Sequence, residues 1–181
     1  MKKLSLLLAA LLIISSTVVS AEWETFKSAD GMYEYTKDGV ITAYYGDEFA
    51  FFPAEIDGTK INEIGVMACF DLGLEAISVA EGIELINTNA FEGCNAESAY
   101  IPSSVKNIGE RAFANCTNLN EVTLNSEEIT FDFDVFVGTG FIQFYIPCTA
   151  DEHVMYEKIS DAKGDGNFEF LTMHTALVES M

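Results

Sequence analysis

Between residues 64 and 146 the chain repeats itself every 22 residues, with one interval of 23. Ile64, Ile86, Ile108 and Phe131 open the copies. Ala68, Ala90, Ala112 and Val135 follow four residues later, and Cys69, Phe91, Phe113 and Phe136 stand directly after those. Leu74, Ala96, Leu119 and Phe141 come next. Each copy then closes on an apolar pair split by one residue: Ile77 and Val79, Ala99 and Ile101, Val122 and Leu124, Phe144 and Ile146. One extra residue between Cys116 and Leu119 accounts for the single longer interval. A unit this short cannot bury its apolar face alone, so the copies must stack, each contacting only its neighbours.

The columns also predict local structure. The split pairs have period two, which places both apolar residues on one side of a short strand. The Ala-Phe segment fits a helical or 3₁₀ turn, small where backbones pack and aromatic where the coil needs filling. Gly65, Asn87, Gly109 and Asp132, directly after the first column, are residue types that tolerate positive φ and predict a corner there. The expected fold is an α/β repeat solenoid of about five coils, with parallel strands about 4.8 Å apart and short helical or 3₁₀ turns opposite.

The flanks differ from the repeat, as terminal units of an array must. Residues 1–21 read as a signal peptide: Lys2 and Lys3, the apolar run "LSLLLAALLII", and "VSA" before a cut after Ala21. Residues 22–52 read as a β-rich N-terminal cap with "KDG" as a hairpin turn, and a degenerate strand around Ala50 and Phe52 leads into repeats over 53–147. Residues 148–181 read as a C-terminal cap. There Thr149 or Asp151 starts a helix, "GDGN" ends it, and "FEFLTM" forms a strand. Cleavage would leave seven basic residues against 29 acidic ones. Such a charge disfavours nucleic acid and anionic lipid, and no second spanning segment follows the leader.

With the columns in place, the chain resembles the BspA-like leucine-rich repeat family of bacterial surface and secreted proteins. The resemblance rests on "IGVMAC", "INTNAF" and "IGERAF", on "FEGC" and "FANCTNL", and on "YIPSSVKNIG" after the lead-in "PAEIDGTKINEIG". It spans about residues 40–147. Cys69 departs from it by standing in the Phe slot, and "FDFDVFVGTG" lacks both the Ile-Gly and the Cys. The resemblance implies a right-handed coil with a concave strand face, used in adhesion or protein binding, and no catalysis.

Cys94 and Cys116 share a column and would stack roughly 5 Å apart. They could form a disulfide, although a ladder of buried thiols is the preferred reading. Cys69 and Cys148 lie in other columns, and the cysteine spacings of 25, 22 and 32 suit no zinc site. His153 and His174 sit in the C-terminal cap, away from any thiol they could activate. "DAKGDGNFE" has Asp161, Asp165 and Gly166 in calcium-loop order but carries Lys163 and Thr172 where ligands belong, so it reads as a turn. No enzyme and no cofactor are expected.

The functional candidates lie between the paired strand positions, pointing away from the core: Phe51, Ser78, Tyr100, Thr123 and Tyr145, flanked by Glu121 and Gln143. Exposed aromatics among polar groups suit a recognition surface, and equally a ladder of β-favouring residues covering the sheet. The expected protein is a monomer, secreted or at the cell surface, binding an extracellular or host protein through this face. The alternatives are a glycan-binding module and an envelope component with no specific ligand.

Overall fold

The computed structural model describes residues 24–164 and 167–173. The leader over 1–21, His174, and Asp165 and Gly166 of the "DAKGDGNFE" turn lie outside the described residues. Strands β1 (Thr25–Lys27), β2 (Tyr33–Thr36) and β3 (Val40–Tyr44) form an antiparallel ribbon, with the "KDG" turn between β2 and β3. Strands β4 (Phe49–Phe52), β8 (Ala76–Val79), β10 (Ser98–Ile101), β12 (Glu121–Leu124) and β14 (Ile142–Pro147) are the split-pair positions. They stack in parallel, and β15 (Phe168–Met173) adds in parallel beyond β14 to complete a six-stranded long sheet. A second, shorter sheet runs along the array through β7 (Glu63–Ile64), β9 (Leu85–Ile86), β11 (Asn107–Ile108) and β13 (Thr130–Phe131), continuing from β3. Between β4 and β7, strands β5 (Glu55–Ile56) and β6 (Thr59–Lys60) make a small hairpin.

The molecule is thus a β-solenoid of about six turns, one more than the repeat columns count. The period stops at Ile146, and helix α1 (Glu152–Lys163) takes the place of a repeat turn before the chain returns as β15. Asp151 is the helix N-cap, accepting hydrogen bonds from the backbone N–H groups of His153 and Val154, and Gly164 ends it with φ of 76°. The helix also covers the end of the short sheet. Lys158 Nζ donates to the carbonyls of Glu127 and Ile129 at 2.7 and 3.1 Å.

One local expectation is corrected. The Ala-Phe segments are linked turns. Within each, i→i−3 bonds such as Ala90 N–H to Asn87 O are present, but left-handed residues four apart stop any helix from continuing. Those residues are Met67 and Asp71, Asn89 and Gly93, Arg111 and Asn115, Asp134 and Gly138. The positive-φ corner therefore lies two residues beyond the column where Gly65 and Gly109 stand. Those glycines serve a close approach. A Cβ on Gly65 would lie 2.8 Å from Ile41 O, and one on Gly109 would lie 2.7 Å from Thr88 N.

Between turns, alternate backbone groups form a third ladder. The N–H groups of Met67, Cys69 and Asp71 donate to the carbonyls of Thr88, Ala90 and Glu92 at 3.2, 2.8 and 2.8 Å. The same three rungs join Asn89, Phe91 and Gly93 to Glu110, Ala112 and Ala114, and Arg111, Phe113 and Asn115 to Phe133, Val135 and Val137. This spacing carries Phe91, Phe113 and Phe136 one above another, with ring centroids 5.2 and 5.6 Å apart. At the first coil the slot holds Cys69, and Phe52 of β4 fills the space, its ring 5.2 Å from Phe91. Restoring the repeat's ring with Cys69→Phe is therefore expected to overpack a filled site. It should destabilise the fold by about 1–3 kcal/mol, read as a lower urea midpoint at unchanged slope.

Candidate functional site

Because each strand of the long sheet alternates sides, its buried residues fix what faces outward. Ala50, Ile77, Ala99, Val122 and Phe144 are buried, so the residue after each turns away from the core. Pairing then aligns Phe51 with Ser78, Ser78 with Tyr100, Tyr100 with Thr123, and Thr123 with Tyr145. All five central candidates share one row across five strands. Glu121 and Gln143 pair with each other in the next row, two residues earlier along each strand. The structure brings the seven together on one face.

The face is larger than the sequence columns indicate. Leu171 pairs with Tyr145 and extends the central row to β15, while Phe49 and Glu169 close the ends of the flanking row. Phe49 is 66% exposed, Phe51 52%, Tyr100 42% and Leu171 41%. Phe49 was readable, since it stands two residues before Phe51 in the same alternation. Leu171 was not, because the helix separates it from Tyr145 by 26 residues. Polar contacts hold the larger rings. Asn125 Nδ2 donates to Tyr100 Oη at 2.6 Å, Tyr145 Oη donates to Gln143 Oε1 at 2.8 Å, and Gln143 Nε2 donates to Glu169 Oε1 at 2.5 Å. Rings alternate with the short hydroxyl residues Ser78 and Thr123, so aromatic platforms recur about every second coil, roughly 10 Å apart.

The opposite side is organised differently. Glu92 is nearly buried and accepts hydrogen bonds from Arg111 Nη2 at 2.5 Å, from Asn115 Nδ2 at 3.0 Å and from Asn89 Nδ2. Arg111 is thus engaged across the coils rather than freely solvated. Its guanidinium, followed by the amide donors, holds the Glu92 carboxyl below the usual range. Three positive-φ residues, Asn89, Arg111 and Asn115, supply these donors, so one carboxylate ties successive turns together.

The thiols are structural. Cys94 and Cys116 are unbridged in the structure. Each donates to a carbonyl of the preceding coil, Cys94 Sγ to Cys69 O at 3.0 Å and Cys116 Sγ to Phe91 O at 3.1 Å. Burial pushes the Cys94 thiol up to about 11 and the Cys116 thiol up to about 12, and drives Cys69 well upward. A raised pKa disfavours the thiolate that nucleophilic or metal chemistry needs. Cys148 is exposed. His153 pairs with Glu157 at 3.6 Å on the exposed face of α1. Among the described residues no three His, Cys, Asp or Glu side chains gather as a metal site, and no helix is long and apolar enough to cross a membrane.

A family model described as a BspA type leucine rich repeat region matches residues 47–156 in six copies. No curated protein matches the chain. Among solved structures, a leucine-rich repeat protein from Bacteroides capillosus is similar at 22% identity and a TM-score of 0.58, over 67% of this chain and 97% of that one. A T. pallidum leucine-rich repeat protein aligns at 18% identity and a TM-score of 0.41, over 70% of this chain and 69% of that one. The pneumococcal vaccine antigen PcpA aligns at 12% identity and a TM-score of 0.44, over 71% of this chain and 45% of that one.

Two measurements test the site's chemistry. With a thiol reagent at pH 8, Cys148 should react at once, while Cys69, Cys94 and Cys116 should appear only on unfolding. Two thiols in total, and not four, would mean a bridge. Because Glu92 has its folded pKa below the ordinary 4.5, its contribution is fully present above that pH and is lost as pH falls through the lowered value. Glu92→Gln should therefore lower the urea midpoint clearly at pH 7, and the gap to the unaltered protein should narrow by pH 3.

Proposed function

The chain belongs to the BspA-type leucine-rich repeat family, and from that premise we propose that it is a secreted or surface-held module that binds a partner protein through the outward face of the long sheet. Repeat proteins of this kind are interaction modules, and no enzymatic family is indicated for the chain. In this reading the sheet is the concave face. The observation that carries the proposal is the registered row of Phe51, Ser78, Tyr100, Thr123, Tyr145 and Leu171, in which Phe51, Tyr100 and Leu171 are large and exposed and Tyr145 is half-buried.

The mechanism is rigid presentation. The strand ladder fixes the rows, so a partner that docks orders little of this surface and loses little of its binding free energy there. Tyrosine suits the task because it offers a large contact area with few rotatable bonds and a polar tip. Asn125 and Gln143 hold the two hydroxyls in place. Glu121 and Glu169 in the flanking row favour a partner surface with basic groups at its rim.

The partner is identified by capture from extracellular fractions with the mature chain. Tyr100→Ser combined with Tyr145→Ser should weaken its binding at least tenfold, with the urea midpoint nearly unchanged because both rings face outward. Unchanged affinity removes the face from the proposal. Binding on a glycan array, with none in the protein capture, moves it to carbohydrate.

A further inference from the structure

Every coil after the first offers its turn-ladder carbonyls to the coil before it. In the first coil the equivalent carbonyls belong to Val66, Ala68 and Phe70, and none accepts a hydrogen bond among the described residues. The cause is topological. The chain passes from β3 to β4 through residues 45–48 alone, which is too short to build the turn that would supply three donors.

The surroundings of this open row are unlike those of the later turns. Where the next two coils carry Thr88, Asn89 and Glu92, and Glu110, Arg111 and Ala114, the first carries Val66, Met67 and Phe70. All three are large, apolar and about half exposed. A depression of about 420 Å³ opens at the start of the row, lined mostly by apolar surface of Val40, Thr42, Gly65 and Val66, with Glu63 beside them. Within it Thr42 Oγ1 is buried and has no hydrogen-bond partner among the described residues. A second depression, of about 260 Å³, lies where the row ends, between Leu72–Leu74 and the 44–48 strap with Asp47 and Glu48.

We propose that this open end of the turn ladder, the Val66–Phe70 carbonyl row between its two depressions, docks an extended apolar segment with basic residues from a partner protein. The chemistry selects the occupant. The row presents carbonyls at alternate residues, so it accepts N–H groups at alternate residues; one edge of an extended segment offers these from every second residue, with its own carbonyls between the rungs left to solvent. A second copy placed by a two-fold axis would set carbonyls against carbonyls, which cannot pair. Val66, Met67 and Phe70 take apolar side chains. Glu63 at one end and Asp47 and Glu48 at the other, on a chain of net charge −20, take lysine or arginine. The surface is separate from the long-sheet face, so either site can fail without the other.

The probe is an acetylated, amidated heptapeptide alternating lysine and valine, titrated into the mature chain while backbone amide NMR signals are followed. Saturable shifts are expected at residues 63–72 and at Thr42, with those of Tyr100 and Tyr145 unmoved. The same peptide carrying N-methyl groups on alternate residues, with either set methylated in turn, tests the hydrogen bonds. One of the two methylated peptides should bind at least tenfold more weakly, and Phe70→Ser combined with Val66→Ser should weaken binding at least fivefold while the urea midpoint holds. Three outcomes overturn the proposal: no saturation at millimolar peptide, equal affinity for the peptide and both methylated forms, or shifts confined to the long-sheet face.

Discussion

The stacking of Phe91, Phe113 and Phe136 at centroid separations of 5.2 and 5.6 Å is the contact on which the rest of the molecule depends. Coils of 22 residues have too little volume to make a core each, and a shared column of rings turns them into one. The two stacked pairs contribute about 0.5–1.5 kcal/mol each beyond burial of their area, but their geometric effect matters more. A ring spacing close to that of hydrogen-bonded strands lets the long sheet, the short sheet and the turn ladder keep one register. At each end the stack turns to edge-on contacts made by strand residues, Phe52 against Phe91 and Phe144 against Phe136. The small residue at position 69 is thus the condition for Phe52 to enter the core.

The two ends of the array solve the problem of open edges differently. At the C-terminal end α1 lies over the short sheet, Lys158 satisfies the carbonyls of Glu127 and Ile129 just before β13, and Ala162 O accepts the N–H of Phe136 from the turn ladder. A lysine at a sheet edge also discourages pairing with another chain. At the N-terminal end the β1–β2–β3 ribbon continues the short sheet, and Tyr33 Oη donates to Phe51 O beside β4. Among the described residues the turn ladder receives no cap there, because the connection from β3 to β4 is too short.

The sequence made the repeat, the strand positions and the outward row legible because all three are encoded as spacing. Conformation within the turns was less so. Gly65 and Gly109 suggest positive φ by residue type, yet their requirement is the nearness of neighbouring backbone, which depends on coil packing. Met67 and Arg111 adopt left-handed backbone although nothing in their side chains favours it; each gives its N–H to the ladder of the next coil, to Thr88 O and Phe133 O. The Glu92 cluster was hidden for a related reason. Its donors Arg111 and Asn115 lie 19 and 23 residues away, and only stacking converts that separation into contact. Leu171 was lost where the helix broke the period.

These constraints divide the surface by the kind of work each part can do. On the turn side of the middle coils, Glu92 meets Asn89, Arg111 and Asn115, so polar groups there are already engaged with one another. On the long sheet the outward residues carry no such duty for the backbone, because strand pairing satisfies it. That face is therefore free to hold Phe49, Phe51 and Tyr100 exposed without loosening the fold, and the cost of exposing them falls on solubility. The large acidic excess offsets that cost, since mutual repulsion keeps copies with apolar faces apart. In the proposed reading, charge and aromatic row are two parts of one arrangement: the first limits self-association, and the second leaves a rigid apolar surface open to a different partner.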